Sequence, residues 1–579
     1  MVMAYLFSVC SALLMLGYSA GLNLPRAITA NFRCNDKLVP CLGGTREEVL
    51  DELYQWINRG VEHLSQEGIL TSSDHLRVMG TRQIFWINGV AGSGKTTIAY
   101  TAAKFCEDKR MLAASFFCSR DNADCSNLKL VFTTIAYQLG QFCPEFKASL
   151  SEVIRSDPDV VYSSVSYQLE KIIVGPLLAM RNRFPPSVIV IDALDECKDD
   201  NSTSTILASL SQHIYKLFPL QFLITSRPIL QITGAFQHPQ LNNATMPLIL
   251  HQVKLDVIES DIQYYLTWHL DIIKQKYHLP ASWPCSTDVE ALTYMSSGLF
   301  IFAATAARFI DVADPMGQLK ILLNTKSVTG FSPLQHLDQL YSQVLNTAFP
   351  NISDHLRAKL QLILGAIAIL QDPLPPDQLE DLLECDVSVN GYLQQLQAII
   401  TVPNDDVGVI RLIHPSFFDF IVDPTRCQDQ HFRVDPHEQH SILAEKCLIM
   451  MQRLKKDICG IRDPTKFNHE VPDLPDMISR HISCSVQYAC RYWGVHVCSG
   501  KLSSNVLQLL EYFCLNHLLH WIEVCSLLGY LRDALQMLAS VHACLAVSVC
   551  ACQVRLTKLI CAHFVDTQFY RYSSLSTIT

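Results

Sequence analysis

Charge is the scarce ingredient of this chain. Only 17% of its 579 residues are Asp, Glu, Lys or Arg, against 49% hydrophobic residues. Such a composition builds packed cores and excludes a largely disordered chain, which needs the opposite balance. Basic excess is missing as well: 45 Lys and Arg face 55 Asp and Glu, a net charge of −10. With a pI near 6.0, the chain lacks the positive footprint that phosphate backbones demand, so no nucleic-acid partner is expected. The 22 cysteines include no Cys-x-x-Cys, and Cys550-Ala551-Cys552 has no matching His or Cys pair at zinc-finger spacing. They also lack the close, regular pairing of a secreted disulfide scaffold, so most are expected to be small buried hydrophobes. No self-similarity with a period of 20–50 residues appears, which argues against a solenoid or propeller.

Length is ample: at roughly 100–200 residues per domain, three to five units are expected. Met1 to Pro25 carries no charged residue before Arg26, a stretch long enough for a membrane segment or a signal h-region. No Lys or Arg precedes it, and its small-residue exit at Tyr18-Ser19-Ala20 begins with a bulky Tyr, which speaks against a cleaved signal. The nucleotide chemistry derived below points to the cytoplasm, with membrane anchoring through residues 1–25 as the alternative.

After the leader (1–30), residues 31–80 read as a linker and a lead-in helix. Thr45–Leu64 places apolar residues at helical spacing behind a Thr cap and early glutamates. Residues 81–255 alternate apolar strand-like runs, at Ile84–Ile87, Leu112–Cys118, Val188–Ile191 and Phe222–Thr225, with helical stretches. That alternation predicts an α/β fold with a parallel, doubly covered sheet. From about residue 256 the strand signal fades, and Ile258–Lys274, Asp288–Ala313, Pro333–Thr347 and His355–Ile369 carry helical periodicity. We expect a helical domain over 256–350, a winged-helix-like unit over 351–435 and a further helical domain over 436–540. An apolar, Cys-rich tail, 541–579, is left unassigned. The wing is expected from Ala398–Val402 and Val407–Ile413, flanking the polar turn Pro403-Asn404-Asp405-Asp406, with a helix at Pro415–Ile421 behind it. Trp493, Trp521 and the aromatics of Phe417–Phe420 are expected to be packing residues.

The strongest chemical signal is Gly89-Val90-Ala91-Gly92-Ser93-Gly94-Lys95-Thr96, directly after one predicted strand and before the predicted helix Thr96–Phe105. Glycines let backbone N–H groups converge on a polyphosphate at close range, and the helix N-terminus adds a favourable dipole. Lys95 would neutralise β/γ-phosphate charge and the Thr96 hydroxyl would ligate Mg²⁺. A second element supplies acids at a strand end: Ser187-Val188-Ile189-Val190-Ile191-Asp192-Ala193-Leu194-Asp195-Glu196. Asp192 is assigned to Mg²⁺, directly or through water, while Asp195 and Glu196 compete to orient or deprotonate the attacking water. Phe222-Leu223-Ile224-Thr225-Ser226-Arg227-Pro228 brings Arg227 to a carboxyl-end position, either as a γ-phosphate sensor or as an ordinary surface arginine.

Together, Gly89–Thr97, Ile191-Asp192-Ala193-Leu194-Asp195-Glu196 and Thr225-Ser226-Arg227-Pro228 resemble a NACHT-type domain of the STAND class of signalling P-loop NTPases. The resemblance is to fungal members whose NTPase is related to the N-terminal domain of nephrocystin. It extends over roughly Cys41 to Leu538, through Cys41–Leu50, Ser297–Ala306, Ile413–Phe420 and Tyr488–Trp493. It implies an ATP/ADP-controlled switch with Mg²⁺, slow hydrolysis as reset, self-assembly and further protein partners. It also implies nucleotide contact by Thr97 and by a winged-helix histidine, here His414, whose bland alternative is a buried histidine on a helix cap. Members of this class often carry an effector domain in front and repeats behind, and neither is evident here, so a truncated or degenerate member is one expectation. The alternative to a switch is a nucleotide-binding scaffold without turnover. A GTPase is disfavoured by the lack of an Asn-Lys-x-Asp element, although a loop that touches only phosphates leaves the purine open.

Overall fold

The computed structural model describes residues 24–34, 38–65, 82–180, 183–197, 200–324, 334–350, 353–386, 388–403, 408–463 and 465–547. Most of the apolar leader, the turn residues Asn404–Asp406 and the tail from 548 onward lie outside the described residues. The described chain forms two compact units. One holds Ala20–Thr347 with His414–Phe417; the other holds Ala348–Ile413 and the stretch from Phe418 onward.

The first unit is built on five strands: β1 (Ile84–Asn88), β2 (Leu112–Phe117), β3 (Ser187–Asp192), β4 (Leu220–Ser226) and β5 (Thr245–Ile249). All pair in parallel, in the order β2-β3-β4-β1-β5. The period-2 alternation of strand side chains sends them to two cores. Ile84, Trp86, Ile189, Ile191, Phe222 and Ile224 pack beneath helices that include α1 (Val131–Phe142) and α2 (Asp200–His213). Phe85, Ile87, Val188, Val190 and Leu223 face Ile98, Ala102 and Cys106 of the helix Lys95–Asp108, together with Leu53 and Trp56 of the helix Glu47–Ser65. The sheet is therefore doubly covered, as expected of apolar strands buried on both faces.

Two features depart from the sequence reading. Strand β5 was not anticipated because Thr245-Met246-Pro247-Leu248-Ile249 is short, only partly buried and interrupted by proline; it is an edge strand, where proline is tolerated. The helical stretch Asp288–Ala313 is two helices, α3 (Ser286–Ser296) and α4 (Phe300–Ile310). The break falls at Ser297 (φ +48°) and Gly298 (φ +78°), consecutive left-handed residues that no α-helix accommodates. Upstream of them lies the long helix Leu255–Lys276, and α5 (Leu334–Ala348) follows.

The second unit is mostly helical, including Asp354–Ile369, Pro376–Leu383, Pro436–Met450, Cys484–Ser499 and Leu531–Val547. Among its described residues, the expected wing shows Ile400–Thr401 and Arg411–Leu412 paired antiparallel, with one further bond from Ile413 N–H to the Ile399 carbonyl. Trp493 and Trp521 are fully buried and meet edge to face, and Phe417 and Phe420 are also core residues. Most described cysteines are buried thiols. Among the described residues, no helix is long and apolar enough to cross a membrane.

Candidate functional site

Strand order decides which sequence motifs meet. Because β4 lies between β1 and β3, the carboxyl ends of three strands converge: the turn after β1, the acids after β3 and the residues ending β4. Ser226 ties two of them together, its carbonyl accepting from Gly89 N–H at 3.3 Å and its hydroxyl from Trp86 Nε1 at 2.9 Å.

The loop Gly89–Gly94 then turns into the helix Lys95–Asp108. Gly92 has φ +79° and packs so closely that a Cβ there would lie 2.1 Å from Ile301 Cγ2. Its carbonyl accepts from Ile301 N–H at 3.1 Å, and the Ser93 carbonyl accepts from Arg46 Nη2 at 2.8 Å. Lys95 is nearly buried and donates to the carbonyls of Gly89 (2.8 Å) and Val90 (3.0 Å). The loop carbonyls are thus turned toward protein donors. Among the described residues, no protein acceptor is recorded for the N–H groups of Ala91, Gly92, Gly94, Lys95, Thr96 and Thr97. A row of unsatisfied amides at a helix N-terminus is an anion site in waiting. Val90 is exposed at the loop rim and Ser93 is buried, its hydroxyl returned to the Val90 carbonyl.

The acidic cluster sits opposite. Asp192 is 1% exposed, and its carboxylate accepts from the Thr225 hydroxyl at 2.5 Å, with the Thr96 hydroxyl close enough to lower its pKa. Burial pushes its pKa up to about 6, against the lowering effect of those hydroxyls and of Lys95. Burial likewise lowers the Lys95 pKa, with Asp195 the largest opposing influence. A hydroxyl and a carboxylate held together offer the hard oxygen donors that Mg²⁺ takes, so Thr96 and Asp192 fit that ion.

Asp195 and Glu196 are not equivalent. Asp195 is engaged by Arg227, whose backbone N–H donates to Oδ1 at 2.9 Å and whose Nε lies 3.1 Å from Oδ2. Glu196 accepts a long bond from Arg120 N–H, at 3.4 Å, and burial pushes its pKa up to about 8. Arg227 is therefore not a free surface arginine; the sequence marked it but gave no sign of its acidic partner. His414 stands apart in its bonding. Its Nδ1 accepts from Ser416 N–H at 3.1 Å and meets the Ser416 hydroxyl at 2.7 Å, and that hydroxyl is 2.7 Å from Tyr341 Oη on α5. This is the geometry of a residue capping the helix Pro415–Ile421.

Two participants escaped the sequence reading. Thr225 bridges β4 to Asp192. Arg46 is 5% exposed, has φ +58°, packs over the Phe300 ring at 4.6 Å and presents its backbone N–H to Asp261 at 3.0 Å. Sequence alone places it in the lead-in helix Thr45–Leu64 and in a stretch of family resemblance, with no sign of this contact. A cavity of about 490 Å³ opens nearby, lined by Cys41–Thr45, Glu47, Asp51, Tyr54 and Thr101. Its two acids make it a poor seat for phosphates, which leaves that role to the loop.

Unsatisfied amides, a buried lysine and a hydroxyl–carboxylate pair at the joined ends of β1, β3 and β4 belong to one known arrangement. The fold is that of a P-loop NTPase. Residues 66–227 match the nephrocystin 3, N-terminal family. The matched stretch takes in β1 to β4, the phosphate loop and the acids, and ends on Arg227. No curated protein matches the sequence. Among solved structures, the chain is similar to a signal transduction ATPase with numerous domains, a protein with a tetratricopeptide repeat sensor, from Pyrococcus horikoshii. That pair is 12% identical over 86% of this chain and 65% of the other, with a TM-score of 0.35. The chain thus spans just under two thirds of that protein's length. It is also similar to Cdc6p of Pyrobaculum aerophilum, at 14% identity over 67% of this chain and 94% of the other, TM-score 0.29. A third is the Aeropyrum pernix ORC1 protein in complex with DNA, at 14% identity over 66% and 92%, TM-score 0.23.

Proposed function

We propose that this chain is a nucleotide-controlled switch that binds ATP or ADP with Mg²⁺ at the nephrocystin-type domain. One observation carries the reading: orphan amides of the phosphate loop stand beside a Thr96–Asp192 pair that β4 brings into register. The amides of Ala91, Gly92 and Gly94 to Thr97 would take the β-phosphate oxygens, and Lys95 would exchange the Gly89 and Val90 carbonyls for β/γ-phosphate oxygens. Thr96 and Asp192 would hold Mg²⁺, which neutralises phosphate charge when bound. We take residues 81–255 as the NTPase domain, with 256–350, 351–435 and 436–540 as the units that respond to it and provide surfaces for self-assembly. His414 is assigned to the responding part, where loss of its helix cap would accompany any contact with phosphate.

Arg227 and Asp195 give the site a resting form. A γ-phosphate competes with Asp195 for the guanidinium, and release of Asp195 leaves it beside Glu196 to orient the attacking water. In the resting form Asp195 is paired with Arg227 and so is withheld from any water. That is the observation favouring the second reading, a nucleotide-binding scaffold without turnover. The two readings separate in a turnover assay. Slow, Mg²⁺-dependent ATP hydrolysis abolished by Lys95→Ala and by Asp192→Ala is expected of the switch, whereas tight binding with no hydrolysis in the unaltered chain identifies the scaffold.

A further inference from the structure

We infer that Thr225 is a positioning residue: its hydroxyl fixes the Asp192 carboxylate in advance of any cation. The inference rests on the proposed role of Asp192 toward Mg²⁺ and goes beyond it by naming what holds that acid still.

Thr225 is completely buried on β4, the strand interposed between β1 and β3. Its hydroxyl donates to Asp192 Oδ1 at 2.5 Å and accepts from Ala193 N–H at 2.9 Å. Both bonds have a fixed direction, because a backbone N–H is only a donor and an ionised carboxylate only an acceptor. Ala193 is left-handed, at φ +53°, a conformation an alanine keeps only when its surroundings enforce it. That turn faces the Ala193 amide back across the sheet toward β4, and the Thr225 oxygen is the acceptor that satisfies it. One hydroxyl therefore fixes two things at once: the backbone turn that carries the acids past the end of β3, and the rotation of the first acid about its own side chain. The Thr96 hydroxyl, on the helix Lys95–Asp108, also favours the same carboxylate in its charged form. Thr96, however, also has to face the cation, whereas Thr225 has no such second duty. Groups that orient a metal ligand typically change cation affinity about 10–100-fold when removed, without touching the cation themselves.

The test uses the full chain and a fluorescent ATP analogue, titrated with Mg²⁺ and with EDTA. Thr225→Val keeps the shape and removes the hydroxyl; Thr225→Ser keeps the hydroxyl. We expect Thr225→Val to bind the nucleotide without Mg²⁺ within about 3-fold of the unaltered chain, but to lose at least about 10-fold of the Mg²⁺-dependent gain. Thr225→Ser should regain that gain to within about 3-fold. Should the valine variant fail to fold, Thr225→Cys, with a weak donor of similar size, replaces it with the same expected loss. An undiminished Mg²⁺ gain in Thr225→Val or Thr225→Cys overturns the role of Thr225 alone. So does a loss that Thr225→Ser does not repair, since packing rather than the hydroxyl would then be at work. Absence of any Mg²⁺ gain in the unaltered chain overturns both this role and the assignment of Asp192.

Discussion

Asp192 shows at the scale of one residue how a buried acid costs stability. Its pKa rises from an ordinary 3.8 to about 6 because burial disfavours the charged form. Folding then becomes less favourable as pH climbs from about 4, where the unfolded chain ionises, to about 6, where the folded one does; above that the loss is complete. That rise corresponds to roughly 2–3 kcal/mol. Asp192→Asn keeps an acceptor for Thr225 and removes the charge. The nucleotide-free variant should therefore be more stable than the unaltered chain above pH 6, by about 1–3 kcal/mol, and show no advantage near pH 4. Chemical denaturation at pH 4, 6 and 8 checks this, and a variant less stable at every pH contradicts it. Asp192 was legible in the sequence because an apolar run ending in acid is a local pattern. Thr225 was not, since its importance depends on which strand lies beside β3. Nor was the Asp195–Arg227 pair, which joins residues 32 apart in sequence.

At the scale of elements, the phosphate loop is held from outside as much as by its own glycines. Ile301, at the start of α4, bonds the Gly92 carbonyl and covers its Cα. Gly92→Ala therefore has two separate costs: left-handed strain of about 1–2 kcal/mol and a steric clash with Ile301. It is expected to lower both the thermal midpoint and nucleotide affinity. Adding Ile301→Ala removes the clash and leaves the strain, so it should recover part of the loss and not all of it. Full recovery would mean that the left-handed conformation is not required. The loop, its strand and its helix were readable because their signals are contiguous. The division of 288–313 was missed because apolar periodicity runs on through Ser297-Gly298, and periodicity does not register two left-handed residues. Strand β5 was missed because one proline disguises a five-residue edge.

For the whole molecule, the sequence conveyed the α/β-then-helical order, since burial on both sheet faces demands unbroken apolar strands and amphipathic helices do not. The two-residue length of the ladder between the described wing residues escaped it, because so short a ladder leaves no periodic trace. The same account makes nucleotide binding a property of the intact chain that one loop controls. The most direct measurement is an equilibrium titration of the full chain with fluorescent ATP, with and without Mg²⁺, alongside Lys95→Ala. Losing hydrogen bonds to a charged group of about 1.5–3 kcal/mol should weaken binding about 10–100-fold. We predict saturable binding that Mg²⁺ strengthens and that Lys95→Ala weakens by that factor. Binding that is absent from the unaltered chain, or indifferent to Lys95→Ala, would contradict the account.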